Sequence, residues 1–326
     1  MHLKSNLFSR KAKENKYFWD IKNEFMSSIK AWIQASRLRT LPLSISGILV
    51  GGAMAERTGF FDWKIFVCAL LATLGFQVLS NYANDYGDGV KGTDNEDRVG
   101  PARAMQSGLL TASDLKKGIV ITAILTTIVV VYLIYISFGA DQLFLSLIYM
   151  FLGISAIVAA IKYTVGKSAY GYKGLGDVFV FLFFGLVAVM GSYFLYAQKL
   201  PLSQFLGATT IGLLSTTVLH LNNMRDREQD QKVGKNTLAV MLGKNGALRY
   251  HNMLFGFSIL SWIAYLILSN AKPMLFMSCL AFLPLLGHFI KVQKTKDHAA
   301  LDPQLKVVAL STFLLSLLFF ILSITI

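Results

Sequence analysis

Nine apolar stretches divide the chain, at 40–56, 64–84, 117–137, 142–161, 175–197, 203–222, 248–269, 273–290 and 304–326. A helix needs about 20 such residues to cross the hydrocarbon core of a bilayer. The expected fold is therefore an all-α polytopic membrane protein with nine transmembrane helices. Composition agrees: 54% of the 326 residues are hydrophobic and 15% are charged, against about 25% charged in water-soluble domains. Cys68 and Cys279 both lie inside apolar stretches, where a small buried residue is expected and a disulfide is not.

The net charge of +13 would suit nucleic acid in a soluble protein, but the positions of the bases exclude nucleic acid as a partner. They fall in the short connections between apolar stretches. The N-terminal segment and the even-numbered connections hold 27 of the 31 Lys and Arg; Arg57, Lys64, Lys199 and Lys272 are the rest. Cytoplasmic loops carry the excess of Lys and Arg, so the N-terminus and even-numbered loops are expected in the cytoplasm and the C-terminus outside. Residues 1–38 are too charged for a signal peptide and form a basic cytoplasmic segment ahead of a membrane domain at 39–326. Within that segment Phe18, Ile21, Phe25, Ile29, Trp32 and Ile33 recur at helical spacing, which predicts an interfacial amphipathic helix feeding the first span.

Carboxylates are costly near a membrane, by about 2.5–3.5 kcal/mol each at a helix centre. Eight of the 18 acids nevertheless sit in two short stretches, Asn81–Arg98 and Asn222–Lys232, at the ends of the second and sixth spans. A slide of 138 residues places Asn84 on Asn222 and Asp88 on Asp226, so both stretches read Asn-x-x-x-Asp. Two spans four apart end on the same side, as in a parallel duplication about an axis along the membrane normal. Asp230 extends the second series by another four residues, whereas Gly92 stands at the equivalent place in the first. A further acid there has to come from Asp85 or Asp94.

Acids at i, i+4 share one helical face and repel. Oxygen donors without His or Cys suit Mg2+, which takes one or two carboxylates together with water and substrate phosphates. Two facing clusters would hold two Mg2+ ions bridging a diphosphate. Lys91, Arg98, Arg103, Arg225, Arg227, Lys232 and Lys235, in the same loops, can meet the remaining phosphate charge. Tyr82, Tyr86, Tyr163 and Tyr172 lie at a level where aromatic faces could shield a cation. His220 is the one histidine that abuts a motif, and no second histidine stands at metal-binding spacing from it.

The stretch NYANDYGDGVKGTDNEDRVGPARAMQSGLLT (Asn81–Thr111) and LHLNNMRDREQDQKVGKNTLAVMLG (Leu219–Gly243) resemble the two aspartate-rich motifs of the UbiA superfamily of intramembrane aromatic prenyltransferases. The segment DNEDRVGPARAMQSG at 94–108 points within it to the branch that acts on 1,4-dihydroxy-2-naphthoate. The RLRTLP entry at 37–42, Tyr163-Thr164 and the run Tyr172-Lys173-Gly-Leu-Gly-Asp177 extend the similarity; the first 30 or so residues lie outside it.

The resemblance implies nine helices around a central cavity, a multi-pass protein of the bacterial inner membrane, and Mg2+-dependent transfer from polyprenyl diphosphate to the naphthoate, giving demethylmenaquinone. Carried over, Asn84, Asp88, Asp226 and Asp230 are the metal ligands, and Asp85 and Asp94 auxiliary acids. Asn81, Tyr163, Asn222, Asn223, Arg103, Lys173 and Lys235 are expected beside the diphosphate, and Asp177 near Lys173 or the acceptor. Three rivals remain. One is a UbiA-type enzyme with 4-hydroxybenzoate or homogentisate as acceptor. A secondary transporter would carry its acids near the bilayer midplane and not at helix ends. A CDP-alcohol phosphotransferase would open its motif on D-G-x-x-A-R, which is absent.

Overall fold

The computed structural model describes residues 29–93, 101–166, 169–295 and 298–325. Among them are nine helices long and apolar enough to span a membrane: α1 (Ile29–Arg57), α2 (Trp63–Lys91), α3 (Ala112–Phe138), α4 (Leu143–Lys162), α5 (Gly176–Ala197), α6 (Leu202–Arg225), α7 (Leu238–Leu268), α8 (Pro273–Lys294) and α9 (Asp302–Thr325). Most of the proposed amphipathic segment lies outside the described residues. Its last turns form the start of α1, which bends at Arg37, where φ is 49°.

Local chemistry sets the ends. Asp62 caps α2 by accepting from the Lys64 and Ile65 amides at 2.6 and 3.3 Å. Thr111 and Asp114 form a reciprocal capping box at the start of α3. At the other end of α2, Gly92 takes the left-handed conformation (φ 70°) while the Thr93 amide reaches back to the Asp88 carbonyl. This is the helix-stop that glycine makes without steric cost. The place where a third motif acid was sought is therefore the residue that ends the helix. α2 also runs seven residues beyond its apolar stretch, so Asn84, Asp85 and Asp88 are helical. Ahead of the seventh apolar run, Thr237 caps a short helical stretch from Leu238, and a kink at Gly243 (φ 65°) divides it from the long part of α7.

The duplication seen in sequence recurs in packing: α2 lies along α3 as α6 lies along α7. α1 packs on α9, and α6 on α5 and α9. The α5–α6 approach is close because two glycines meet: a Cβ on Gly185 would stand 2.7 Å from the Gly212 Cα. The two halves differ inside. Around α6, α7 and α9 the interior is filled by Trp262, Tyr265, Phe319, Ile211 and Leu214. Between α2, α3, α4 and α5 a cavity of about 340 Å3 remains, lined mostly by apolar side chains, with Asn84 and Tyr163 among its walls.

Candidate functional site

The aspartate-bearing ends of α2 and α6 meet at one end of the bundle, beside the cavity. Asp88 is 3% exposed. One of its oxygens is 3.0 Å from Arg103 Nη2, and the other accepts the Tyr172 hydroxyl at 2.8 Å. Tyr172 also shares a 2.6 Å hydrogen bond with Thr93 Oγ1, and its backbone carbonyl accepts the Asn236 amide at 3.1 Å. The segment between α4 and α5 thus ties the first motif to the loop after the second.

A short helix, Arg227–Lys232, follows α6 and carries Asp230. Lys235 Nζ lies 3.4 Å from Asp230 Oδ1, while Oδ2 is buried without a hydrogen-bond partner. Burial pushes the Asp230 carboxyl up to about 6; Lys235 opposes the rise, and Asp226 and Asp88 add to it. Burial also works against the charge of Lys235, yet Asp230 and Asp88 hold its ammonium above the ordinary value. Tyr163 lies where these fields meet. Its phenol is raised by burial and by Asp177, Asp88 and Asp230, against Arg103.

Asp226 is gripped by its neighbour: Arg225 Nε and Nη2 each donate to it at 2.7 Å. The same guanidinium donates to Asn222 Oδ1 at 2.8 Å and to Asp302 at the start of α9. Arg225, read in sequence as a phosphate partner, is thus an internal strut, and nothing in the spacing pointed to Asp302 as its anchor. The Asn223 Oδ1 is buried and unpartnered beside it.

Several expected residues turn elsewhere. Asn81 is buried, donating to the Ser36 carbonyl at 2.8 Å and to Thr40 Oγ1 at 3.2 Å, so it braces the bend of α1. Asp85 accepts the Ala104 and Met105 amides at 3.1 and 3.3 Å and pins the loop that carries Arg103. Asp177 lies 3.4 Å from His220 Nδ1 and does not reach Lys173, which is exposed. His220 in turn meets the Ala247 carbonyl at 2.9 Å, as a structural histidine would. Arg227 lines a separate small cleft with Met224, Lys244 and Asn245.

Of the four tyrosines, Tyr82 packs edge-on against Trp32 and bonds Ser36, and Tyr86 lies beneath Lys116. Tyr172 carries Lys91 Nζ 3.9 Å above its ring, leaving Tyr163 as the one that lines the cavity. Asp94 and Arg98 lie outside the described residues. Thr164, singled out only within a matched pair, donates to Asn84 Oδ1 at 3.3 Å and to the Ala83 carbonyl at 3.0 Å.

The donor set fits a hard cation. It is oxygen-only, it includes a buried carboxylate oxygen with no partner, and Asp226 and Asp88 both raise the Asp230 carboxyl. Among the described residues no three His, Cys, Asp or Glu side chains converge closely enough to hold a metal unaided. Asp226 and Asp88 lie close enough to Asp230 to act on its charge, an arrangement that suits Mg2+ sharing its ligands with substrate phosphates.

Comparison with known proteins agrees with this geometry. Residues 44–324 match the model of the UbiA prenyltransferase family. The chain is 40% identical over 294 residues to the 1,4-dihydroxy-2-naphthoate octaprenyltransferase of Escherichia coli (strain K12), covering 90% of this chain and 95% of that protein. It is 36% identical to the protein of the same name from Mycobacterium tuberculosis (strain ATCC 25618 / H37Rv), covering 74% and 80%. The fold is that of a UbiA homologue from Archaeoglobus fulgidus solved with GPP and Mg2+, with TM-score 0.63 at 16% identity, over 89% of this chain and 98% of that one. With the family match spanning nearly all of the membrane domain and both motifs gathered at one end of it, the chain belongs to the UbiA prenyltransferase family.

Proposed function

We propose that the chain transfers the polyprenyl group of a polyprenyl diphosphate to 1,4-dihydroxy-2-naphthoate, releasing pyrophosphate and carbon dioxide and giving a demethylmenaquinol, the reduced form of demethylmenaquinone. We place it in the bacterial inner membrane with the site facing the cytoplasm, in keeping with the excess of Lys and Arg on that side. The observation that carries the reading is the convergence of Asp88 and Asp230 at the polar mouth of an apolar cavity, with Lys235 and Arg103 beside them. The acceptor rests on the 40% identity to a protein named for that naphthoate.

Asn84, Asp88, Asp226 and Asp230 would hold Mg2+, two ions in all, one per motif. When bound, Mg2+ supplies neutralisation of the charge that develops on the departing diphosphate. Arg103, Lys91 and Lys235 add fixed positive charge where that leaving group forms. Asp88 orients Arg103, and Asp230 orients Lys235, so neither base has to reorganise during the reaction. The allylic C–O bond breaks with its electron pair going to the diphosphate. The electron-rich ring carbon of the acceptor forms the new C–C bond, and the carboxylate on that carbon leaves as CO2. Tyr163, at the junction of site and cavity, presents an aromatic face toward the allylic carbons. A cation-coupled transporter is disfavoured because the described cavity wall offers scattered Ser, Thr, Asn, Gln and Tyr side chains and no carboxylate.

Purified protein in lipid, given Mg2+, dihydroxynaphthoate and labelled octaprenyl diphosphate, is expected to yield lipid-soluble prenylated naphthoquinol, which air oxidises to the quinone, and CO2. Turnover of 4-hydroxybenzoate with none of the naphthoate would sink the acceptor assignment.

The Asp230 carboxyl also sets a pH dependence. Its folded value of about 6 lies above the ordinary 3.8, so the folded state binds the proton more tightly. In Mg2+-free protein, stability is therefore lost as pH rises from about 4 through 6. Mg2+ competes with that proton, so it is expected to raise Tm at pH 7.5 and to do so much less at pH 5. An equal Mg2+ shift at both pH values would remove Asp230 from the metal site.

A further inference from the structure

Arg103 is carried by a loop, and the loop is held from two sides. Its own hydrogen bonds wind residues 103–110 into a turn: the Arg103 amide donates to Gln106 Oε1 at 3.2 Å, the Ser107 amide to the Arg103 carbonyl at 2.9 Å, and the Leu109 amide to the Ala104 carbonyl at 2.9 Å. From α2, Asp85 takes the Ala104 and Met105 amides. From the other side comes the start of α1, ahead of the bend at Arg37 and ahead of residues 44–324 that match the family model.

The apolar stripe read in these first turns divides between two faces. Ile29 and Ile33 are exposed. Ala31 and Ala35 are buried in one cluster with Ala104 and Leu110 of the loop, and Trp32 and Met105 pack on it. The indole lies on a bare patch of α3, where a Cβ on Gly118 would stand 2.5 Å from Trp32 Cζ3. The rings of Trp32 and Tyr82 meet edge-on at a centroid distance of 5.3 Å. One turn on, Ser36 Oγ and Tyr82 Oη share a hydrogen bond of 2.9 Å, and the Ser36 carbonyl accepts from Asn81 at 2.8 Å. Gln34 Nε2 donates to the Ala102 carbonyl at 3.3 Å. The residues on either side of Arg103 are thus both in contact with the turns that precede the first span.

We propose that residues 31–36 are a strap that holds Arg103 in place for the donor's diphosphate, with Trp32 as its positioning residue. This rests on the prenyl-transfer reading above, in which Arg103 meets that diphosphate. A charged group contributes most when its place is fixed before the ligand arrives. Displacement by about 1 Å, even from a change remote from the chemistry, can cost on the order of 10²-fold. Asp88 fixes the guanidinium of Arg103 at 3.0 Å. The strap fixes the backbone from which that side chain starts.

The test measures Kd for geranylgeranyl thiolodiphosphate, an unreactive donor analogue, with Mg2+ and full-length protein in lipid nanodiscs, together with Tm. Trp32→Ala is expected to weaken binding about tenfold, with the Mg2+ concentration that half-saturates binding nearly unchanged, and Trp32→Phe to restore most of the loss. A residue that only stabilised the fold would lower Tm and the fraction of competent protein without moving Kd. Gly118→Ala leaves the strap's sequence intact and should act in the same direction, by pushing the indole off α3. Gln34→Ala, at an exposed position that does not disturb the packing, should weaken binding about threefold through the lost Ala102 contact. Ile33→Ala, on the outer face, is expected to bind as wild type does. In an Arg103→Ala background, Trp32→Ala should add less than about twofold, because residues that act through one another are not additive. The proposal is overturned if Trp32→Ala, Gly118→Ala and Gln34→Ala all leave Kd unchanged, if Trp32→Ala weakens binding equally with and without Arg103, or if Ile33→Ala weakens it as much as Trp32→Ala. Folded wild-type protein that binds no donor analogue would overturn the prenyl-transfer reading instead.

Discussion

Asp88→Ala is expected to lower kcat/KM by at least about 10²–10³-fold, the scale on which losing one preorganised charge contact to a transition state is felt. The residue is 3% exposed and its carboxylate serves two partners at once, Arg103 at 3.0 Å and the Tyr172 hydroxyl at 2.8 Å. Its loss removes the first motif's carboxylate facing Asp230 and frees Arg103 to move from where the leaving group forms. Asp88→Asn separates charge from shape, because the amide oxygen can still accept from Tyr172. It should lose nearly as much activity as Asp88→Ala while keeping more of the wild-type Tm. Activity of Asp88→Asn within tenfold of wild type would show that its negative charge is not needed and would remove it as a metal ligand.

Asp85→Ala is expected to act through the donor rather than through the metal. Asp85 is three residues from Asp88 on the same helix, but its oxygens accept the Ala104 and Met105 amides. Removing them leaves the buried Ala104 N–H without a partner, at about 1–3 kcal/mol, and the part-buried Met105 N–H as well, in the loop that holds Arg103. The expected result is a KM for polyprenyl diphosphate raised roughly tenfold or more, with the Mg2+ concentration for half-maximal activity nearly unchanged. Asp85→Asn, which keeps one acceptor oxygen, should recover part of the loss. A large rise in the Mg2+ requirement with donor KM unchanged would mean that Asp85 is an auxiliary acid, as the family resemblance implied.

These two aspartates show how far the sequence reading reaches. Both belong to a motif recognisable from composition and spacing, and both lie on the helix that the second apolar run continues into. Helical periodicity says which residues of one helix share a face. It does not say what packs against that face: for Asp85 it is the backbone of residues 104–105, and for Asp88 it is Arg103 and Tyr172. The same limit applies to the bases. Arg225 and Arg227 looked alike as loop cations beside a motif, yet one is spent on Asp226 and Asp302 and the other lines another cleft, and Lys173, expected beside the diphosphate from the resemblance alone, is exposed. Asp302 carried no local signal because its partner is 77 residues away. Gly92 was legible in principle, since glycine just past a helix end is a common stop.

The sequence by itself determined the nine spans, the placing of both motifs at one side of the membrane, the family and the chemistry that oxygen-rich, His-free clusters suit. Each of these depends on local composition or on repetition along the chain, quantities that survive without a tertiary structure. Only the tertiary structure decided that Asp88 lies near enough to Asp230 to act on its charge, that Asp85, Asn81 and Asp177 serve as braces, and that α4 stands away from α5 beside a cavity that Tyr149 helps to line. Those facts depend on which helix faces meet, and that is settled by side-chain volumes and hydrogen bonds between residues distant in sequence.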